Sequence, residues 1–277
     1  MTILEVKNLS VVFKQKKQEK IIIDDISFDL KQGECMGILG ESGSGKSMSV
    51  KAILGLLDNN FAISGQAIFN GKDLLKESKE NLRKMRGQEI TMVLQNPMTC
   101  FDPLCSVGEQ ILETFATYLN KDRDAIYKLA IEVLNKMFIN SPDEVMAKYP
   151  HQLSGGMLQR VMIGIAMALQ PKLLVADEPT TAIDAITQYE ILEQFIRIKN
   201  SKQTSMIFIT HDLGAISRIA DRIIVMNSGK IVDRGDFKHI LNNASDPYTK
   251  LLIEKKLAVM KCYRKVVDIK PKAEVIS

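Results

Sequence analysis

The sequence predicts an α/β fold in which a parallel-sheet core is interrupted by a block of helices. Three features carry that reading. Short apolar β-forming runs alternate with helical stretches, the pattern of parallel strands joined by crossover helices. A glycine-rich loop, "GESGSGKS" at Gly40–Ser47, leads from the buried run "ECMGILG" into a helix through "MSVKAILGLL". From about Pro97 to Pro150 the strand signals stop and helical periodicity takes over.

In chain order, "ILEVKNLSVVF" and "IIIDDISFDL" read as strands, because their apolar β-formers alternate or cluster. Residues 60–72, "NFAISGQAIFNGK", read as a strand pair with glycine-containing turns. The helical block holds "VGEQILETFATYL" and "RDAIYKLAIEVLNKMF". Strands return with "KLLVADEP", "SMIFITHD" and the hairpin "DRIIVMNSGKIVDRG", whose Ser228-Gly229 supplies the turn. The last forty or so residues read as helix, ending in a polar stretch, "KPKAEVIS", expected to fray. The expected organisation is a core over 1–96 and 159–240, a helical subdomain over 97–158 and a C-terminal extension over 241–277.

With 277 residues, the chain can bury one large core carrying an inserted subdomain. Hydrophobic residues at 45% and charged residues at 25% fit a soluble globular protein rather than a disordered one. The net charge of +4 is mild and no block of like charges stands out, so no nucleic-acid partner is expected. Cys35, Cys100, Cys105 and Cys262 form no disulfide framework or paired CxxC, which points to reduced thiols in the cytoplasm. "MTILEVKNLS" carries no secretory signal, and the apolar run Val161–Leu169 is far shorter than a membrane span. The 14 methionines are scattered and the histidines number three, so the methionines read as core packing rather than a soft-metal site.

The loop Gly40–Ser47 matches G-x-x-x-x-G-K-[ST] without a mismatch. Gly40, Gly43 and Gly45 let the backbone approach and turn its N–H groups toward phosphates. Glu41, Ser42, Ser44 and the following Met48 complete the cradle at a helix N-terminus, whose dipole favours the same charge. Lys46 places an ammonium on the β- and γ-phosphates, and the Ser47 hydroxyl can ligate Mg2+. "LLVADEP" is an apolar strand ending in two carboxylates: Asp177 for the metal and Glu178 to accept a proton from the attacking water. These residues specify a hydrolase of Mg-ATP or Mg-GTP.

A second glycine loop narrows the reading. "LSGGM", Leu153–Met157, closely resembles the signature motif of ATP-binding cassette (ABC) ATPases, and further motifs follow in that family's order. Gln95 in "TMVLQNP" is similar to the Q-loop glutamine, Asp184 in "TAID" to the D-loop aspartate and His211 in "ITHD" to the switch histidine. Ile183 stands where leucine usually precedes that aspartate, a conservative change. Phe13 sits where the family places an aromatic on adenine. The resemblance implies a RecA-like P-loop NTPase core with an antiparallel β subdomain and an inserted α-helical signature subdomain. It also implies ATP and Mg2+ as ligands, with Gln95 reaching Mg2+ or the water and His211 reaching the γ-phosphate. Two such subunits pair head-to-tail. Ser154, Gly155 and Gly156 of one then complete the cage around the ATP held by the other.

Within that family the chain is most similar to the oligopeptide/dipeptide/nickel importer branch. "QNPMTCFDPLCSVGEQI" resembles that branch's Q-N-P-x-x-x-x-[ND]-P pattern, and "SDPYTKLLI" its H-P-Y-T-x-x-L element, with Asp246 replacing the usual histidine. Met157 and "GMLQRVMIGIAMAL" also suit it. The tail "MKCYRKVVDIKPKAEVIS" lacks the paired-cysteine extension of many peptide-importing members, which favours nickel over peptides. The resemblance implies a peripheral subunit on the cytoplasmic face of the membrane. Its partners are then a second, related ABC ATPase chain, integral membrane permease subunits contacted around Gln95–Gln110 and, indirectly, an extracellular substrate-binding protein. Cassette ATPases of DNA repair or translation usually carry a second cassette, a coiled coil or zinc fingers; the sequence has none of these.

Overall fold

A computed structural model of the protein describes residues 1–15, 18–181 and 183–267. The expected fraying of "KPKAEVIS" and Ala182 of "TAID" lie outside the described residues. The chain opens with two long antiparallel strands, β1 (Thr2–Gln15) and β2 (Gln18–Lys31). The buried β3 (Cys35–Leu39) then runs into the glycine loop and α1 (Lys46–Ile53). β4 (Phe61–Phe69) returns to pair with β1. A turn at Asn70-Gly71, with φ of 47° and 81°, sends β5 (Lys72–Asp73) back along it. The expected strand pair over 60–72 is therefore β4 and β5, with the turn near its end.

α2 (Lys79–Gln88) precedes β6 (Ile90–Val93), and the Ser78 side chain caps it by accepting from the Asn81 N–H. The helical block follows as α3 (Val107–Tyr118), α4 (Arg123–Lys136), α5 (Pro142–Ala147) and α6 (Gly155–Ala168). The core resumes with β7 (Leu173–Asp177), α7 (Ala185–Ser201), β8 (Ser205–Ile209), α8 (Leu213–Ile219), β9 (Arg222–Asn227) and β10 (Lys230–Gly235). Ser228 and Gly229, with φ of 48° and 80°, make the expected hairpin turn between β9 and β10. α9 (Phe237–Asn242) and α10 (Pro247–Val267) complete the described chain.

One sheet is antiparallel, in the order β2-β1-β4-β5. The other runs β10-β9-β3-β8-β7-β6 and is parallel except for the β9–β10 pair. All residues of β3, β7 and β8 are buried, as parallel strands covered on both faces require. Arg222 of β9 ties the two sheets by hydrogen bonds to Asp29 and Glu34, and this bond holds the Asp29 carboxyl below its ordinary range.

The helical block shares one core with the parallel sheet: Phe115, Val133, Leu158 and Val161 pack in the same cluster as Leu174, Ala176 and Phe208. α6 runs unbroken through 158/159 and α9 spans 241, so neither expected boundary coincides with a break in the backbone. Among the described residues no helix is long and apolar enough to cross a membrane.

α4 and α6 meet closely at Gly164, where an added Cβ would lie 2.7 Å from Val133 Cγ1 and 2.9 Å from Met137 Cγ. Gly164→Val should therefore overpack this contact and lower unfolding stability by about 1–3 kcal/mol. Chemical denaturation checks this through a lower midpoint at unchanged slope.

Candidate active site

The C-terminal ends of the parallel strands carry the site, where ligands of open α/β sheets bind. β3 ends at Leu39 and the chain turns at once into the loop. Gly40 has no room for a side chain, since a Cβ there would lie 2.4 Å from the Met226 carbonyl oxygen. Gly45 needs its φ of 106° and touches β2, where a Cβ would meet Ile23 Cδ1 at 2.6 Å. The Gly229 N–H of the β9–β10 turn donates to the Ser44 carbonyl at 3.0 Å and pins the loop from the other side. Gly45 stands at the N-cap of α1, with no side-chain cap.

Lys46 is buried, and its Nζ donates to the Gly40 and Glu41 carbonyls at 3.0 and 2.9 Å, spanning the mouth of the loop. Burial pulls the Lys46 pKa below the ordinary lysine value, and the negative charges of Glu178 and Asp177 partly offset this.

Strand register brings the acidic residues to the loop. Ile209 of β8 is paired with Ile38 on one side and with Asp177 on the other. The end of β3 and the end of β7 therefore lie level, two strand spacings or roughly 10 Å apart. The Ser47 hydroxyl donates to Asp177 Oδ1 at 2.8 Å and closes that gap. Asp177 is 2% exposed, and burial raises its pKa, opposed by the Ser47 bond and by Lys51. A hydroxyl next to a carboxylate is a hard oxygen donor set, which fits Mg2+.

Glu178 follows in a left-handed conformation, φ 47°, unusual for a residue with a Cβ. Its N–H donates to the Ile209 carbonyl at 2.9 Å, which holds the turn. Three side chains meet at one oxygen of its carboxylate. Gln95 Nε2 donates to Oε2 at 3.0 Å, Thr181 Oγ1 donates to it at 3.2 Å, and His211 Nδ1 stands 3.5 Å away. Nothing in the sequence singled out Thr181; its position three residues after Glu178 in a turn was the available signal. The structure thus gathers Gly40–Ser47, Gln95, Asp177, Glu178 and His211.

Among the described residues, no hydrogen bond joins five expected contributors, Phe13, Ser154, Gly155, Gly156 and Asp184, to these groups. Ser154 caps α6, its Oγ accepting from the Met157 N–H at 3.2 Å, and a Cβ on Gly155 would meet nothing within 4 Å. Among the described residues no hydrogen bond joins Ser154, Gly155 or Gly156 to Gly40–Ser47. Phe13 packs on Phe61 of β4, ring centroids 5.0 Å apart. Asp184 caps α7 by accepting from the Thr187 N–H. The signature helix does reach the site indirectly: buried Gln159 of α6 donates to the carbonyl of Leu94, beside Gln95, at 3.3 Å.

The family model described as ABC transporter matches residues 23–181. The chain is 42% identical over 267 residues to the metal-staphylopine import system ATP-binding protein CntD of Staphylococcus aureus, covering 96% of this chain and 98% of that one. It is also 42% identical over 254 residues to the dipeptide transport ATP-binding protein DppD of Escherichia coli, covering 91% of this chain and 78% of that one. Among solved structures, the dimeric MJ0796 bacterial ABC transporter cassette superposes with a TM-score of 0.77 at 25% identity, covering 84% of this chain and 98% of that one.

The Lys46 environment sets a pH dependence. A polyphosphate needs the ammonium form, and a depressed pKa means that form is lost early as pH rises. As pH rises, ATP affinity of the full-length chain should therefore begin to fall before an ordinary lysine would lose its charge. Lys46→Ala should bind roughly 10-fold or more weakly, with a flatter profile. Fluorescent-nucleotide titrations at a series of pH values check both.

Proposed function

This chain belongs to the ABC transporter family, whose cassettes hydrolyse ATP to drive transport, and we propose that it energises an importer as one half of a head-to-tail pair. The observation that carries this reading is the Glu178 carboxylate, met at one oxygen by Gln95, Thr181 and His211 beside the loop of Lys46. In this reading Gly40–Met48 cradle the phosphates, Lys46 binds the β- and γ-phosphates, and Glu178 accepts the proton of the attacking water. His211 orients the γ-phosphate side of the site. Ser47, Asp177 and Gln95 would hold Mg2+, which supplies charge neutralisation on the phosphates. Phe13 offers a face to adenine from the rim of the antiparallel sheet.

Among the described residues, Ser154, Gly155 and Gly156 make no hydrogen bond to this chain's own loop, and the N-terminus of α6 is open at Gly155. Both facts support a role across the interface, on the ATP of a second cassette, with the partner's signature loop serving this chain's ATP. The partner is a related ATPase chain. Permease subunits dock around Gln95–Gln110, and an extracellular binding protein delivers the substrate to them. The chain then works peripherally at the cytoplasmic face of the membrane.

For the substrate, the reading is a metal complex, with nickel among the candidate metals. It is supported by the match along 98% of the metal-staphylopine relative. Peptide import is the second reading, favoured by equal identity to the dipeptide relative.

Glu178→Gln should retain ATP binding and lose turnover by about 100-fold or more. Ser154→Arg should spare ATP binding by the isolated chain and abolish turnover by the assembly. Turnover of Glu178→Gln near the native rate would sink the catalytic assignment. In the reconstituted transporter, stimulation by the binding protein loaded with a metal complex, and not with dipeptides, supports the substrate reading; the converse overturns it.

A further inference from the structure

The C-terminal helix reaches the site through two backbone contacts. Tyr248, Leu252 and Lys256 of α10 are spaced i, i+4, i+8 and so share one face of the helix. Leu252 is buried, in one cluster with Leu39 and Leu213. Leu39 is the last residue before the phosphate loop, and Leu213 lies two residues after His211. The polar residues on either side of Leu252 then address the two loops themselves. The Tyr248 hydroxyl accepts from the Glu41 N–H at 2.9 Å, on the phosphate loop. The Lys256 ammonium donates to the carbonyl of His211. Lys255 adds an exposed ion pair to Glu41 at 3.8 Å, worth little in solvent. Lys256 is half-buried, with Asp212, Glu41 and Glu178 as its anionic neighbours.

The geometry points to α10 as a strap in which Tyr248 and Lys256 are positioning residues, fixing the phosphate loop and the His211 loop relative to each other. It rests on the assignment of Lys46, Glu178 and His211 to ATP hydrolysis. The two contacts act on different steps. Tyr248 satisfies the Glu41 N–H of the loop that receives the nucleotide, so it governs how well the loop is preset for ATP. Lys256 holds the backbone of the residue facing Glu178, so it governs the hydrolytic geometry once ATP is bound. Neither side chain touches the reacting atoms. The strap also gives the "SDPYTKLLI" element a physical role: its tyrosine reaches the site and its second leucine anchors the helix.

The test uses the full-length chain in the assembled transporter, with turnover expressed per titrated nucleotide site so that misfolded protein does not count. Tyr248→Phe removes one acceptor and should raise KM for ATP about three- to tenfold while kcat stays within twofold. Lys256→Met keeps the length of the side chain without its charge. It should lower kcat about five- to tenfold with KM within twofold, and Lys256→Arg should restore at least half of the lost rate. The proposal is overturned if both variants leave KM and kcat within twofold. It is equally overturned if arginine fails to rescue. Glu178→Gln runs alongside: if that variant keeps turnover, the site assignment itself is wrong, whatever the strap variants do.

Discussion

The site depends on one register constraint at the centre of the sheet. Ile209 pairs with Ile38 on one side and with Asp177 on the other, and its carbonyl accepts the Glu178 N–H. Three segments far apart in sequence are thereby levelled at one edge: the root of the phosphate loop, the paired carboxylates and the turn into His211. A parallel register is specified here because the strands are buried on both faces, and a slip would expose apolar residues and bury polar ones. The Ser47–Asp177 hydrogen bond then joins loop to carboxylate across the gap that the register sets.

Around that frame the site holds two charges in low-dielectric surroundings. Burial opposes the charged form of both Lys46 and Asp177, and each has polar protein partners. Such a site is arranged for an anionic ligand with a cation, because both buried charges then gain a counter-charge. Glu178 adds a left-handed backbone conformation held by Ile209 and Thr181, a local strain that the surrounding hydrogen bonds sustain. Among the described residues, no hydrogen bond joins the N-terminus of α6 to the gathered groups. Ser154 at that terminus is exposed, and Gly155 and Gly156 are partly so.

Much of this was legible in the sequence, for a physical reason. The phosphate loop and the "LLVADEP" strand are local devices, in which spacing points to the backbone groups and side chains that face a ligand, whereas the role expected of "LSGGM" came from resemblance. Gly45 and Gly40 are needed where no Cβ fits, and that requirement shows in the sequence as glycine. The hairpin at Ser228-Gly229 was readable for the same reason. Thr181, Gln159, Tyr248 and Lys256 were not, because their roles exist only after tertiary folding brings in a partner carbonyl, carboxylate or N–H. α2 lacked a strong apolar stripe, burying only Leu82 and Met85, and its cap at Ser78 was the one local signal. The expected edge at 158/159 falls inside α6, which serves the helical block and the sheet with one continuous core.

The most direct test concerns the proposal that Ser47 and Asp177 share one Mg2+. ATP binding by the full-length chain is titrated with and without Mg2+, in the native protein and in Asp177→Asn. The account predicts that Mg2+ tightens ATP binding in the native chain and that this gain disappears in Asp177→Asn, while metal-free binding through Lys46 persists. An unchanged Mg2+-dependent gain in Asp177→Asn would contradict the claim that the sheet register brings loop and carboxylate to one metal.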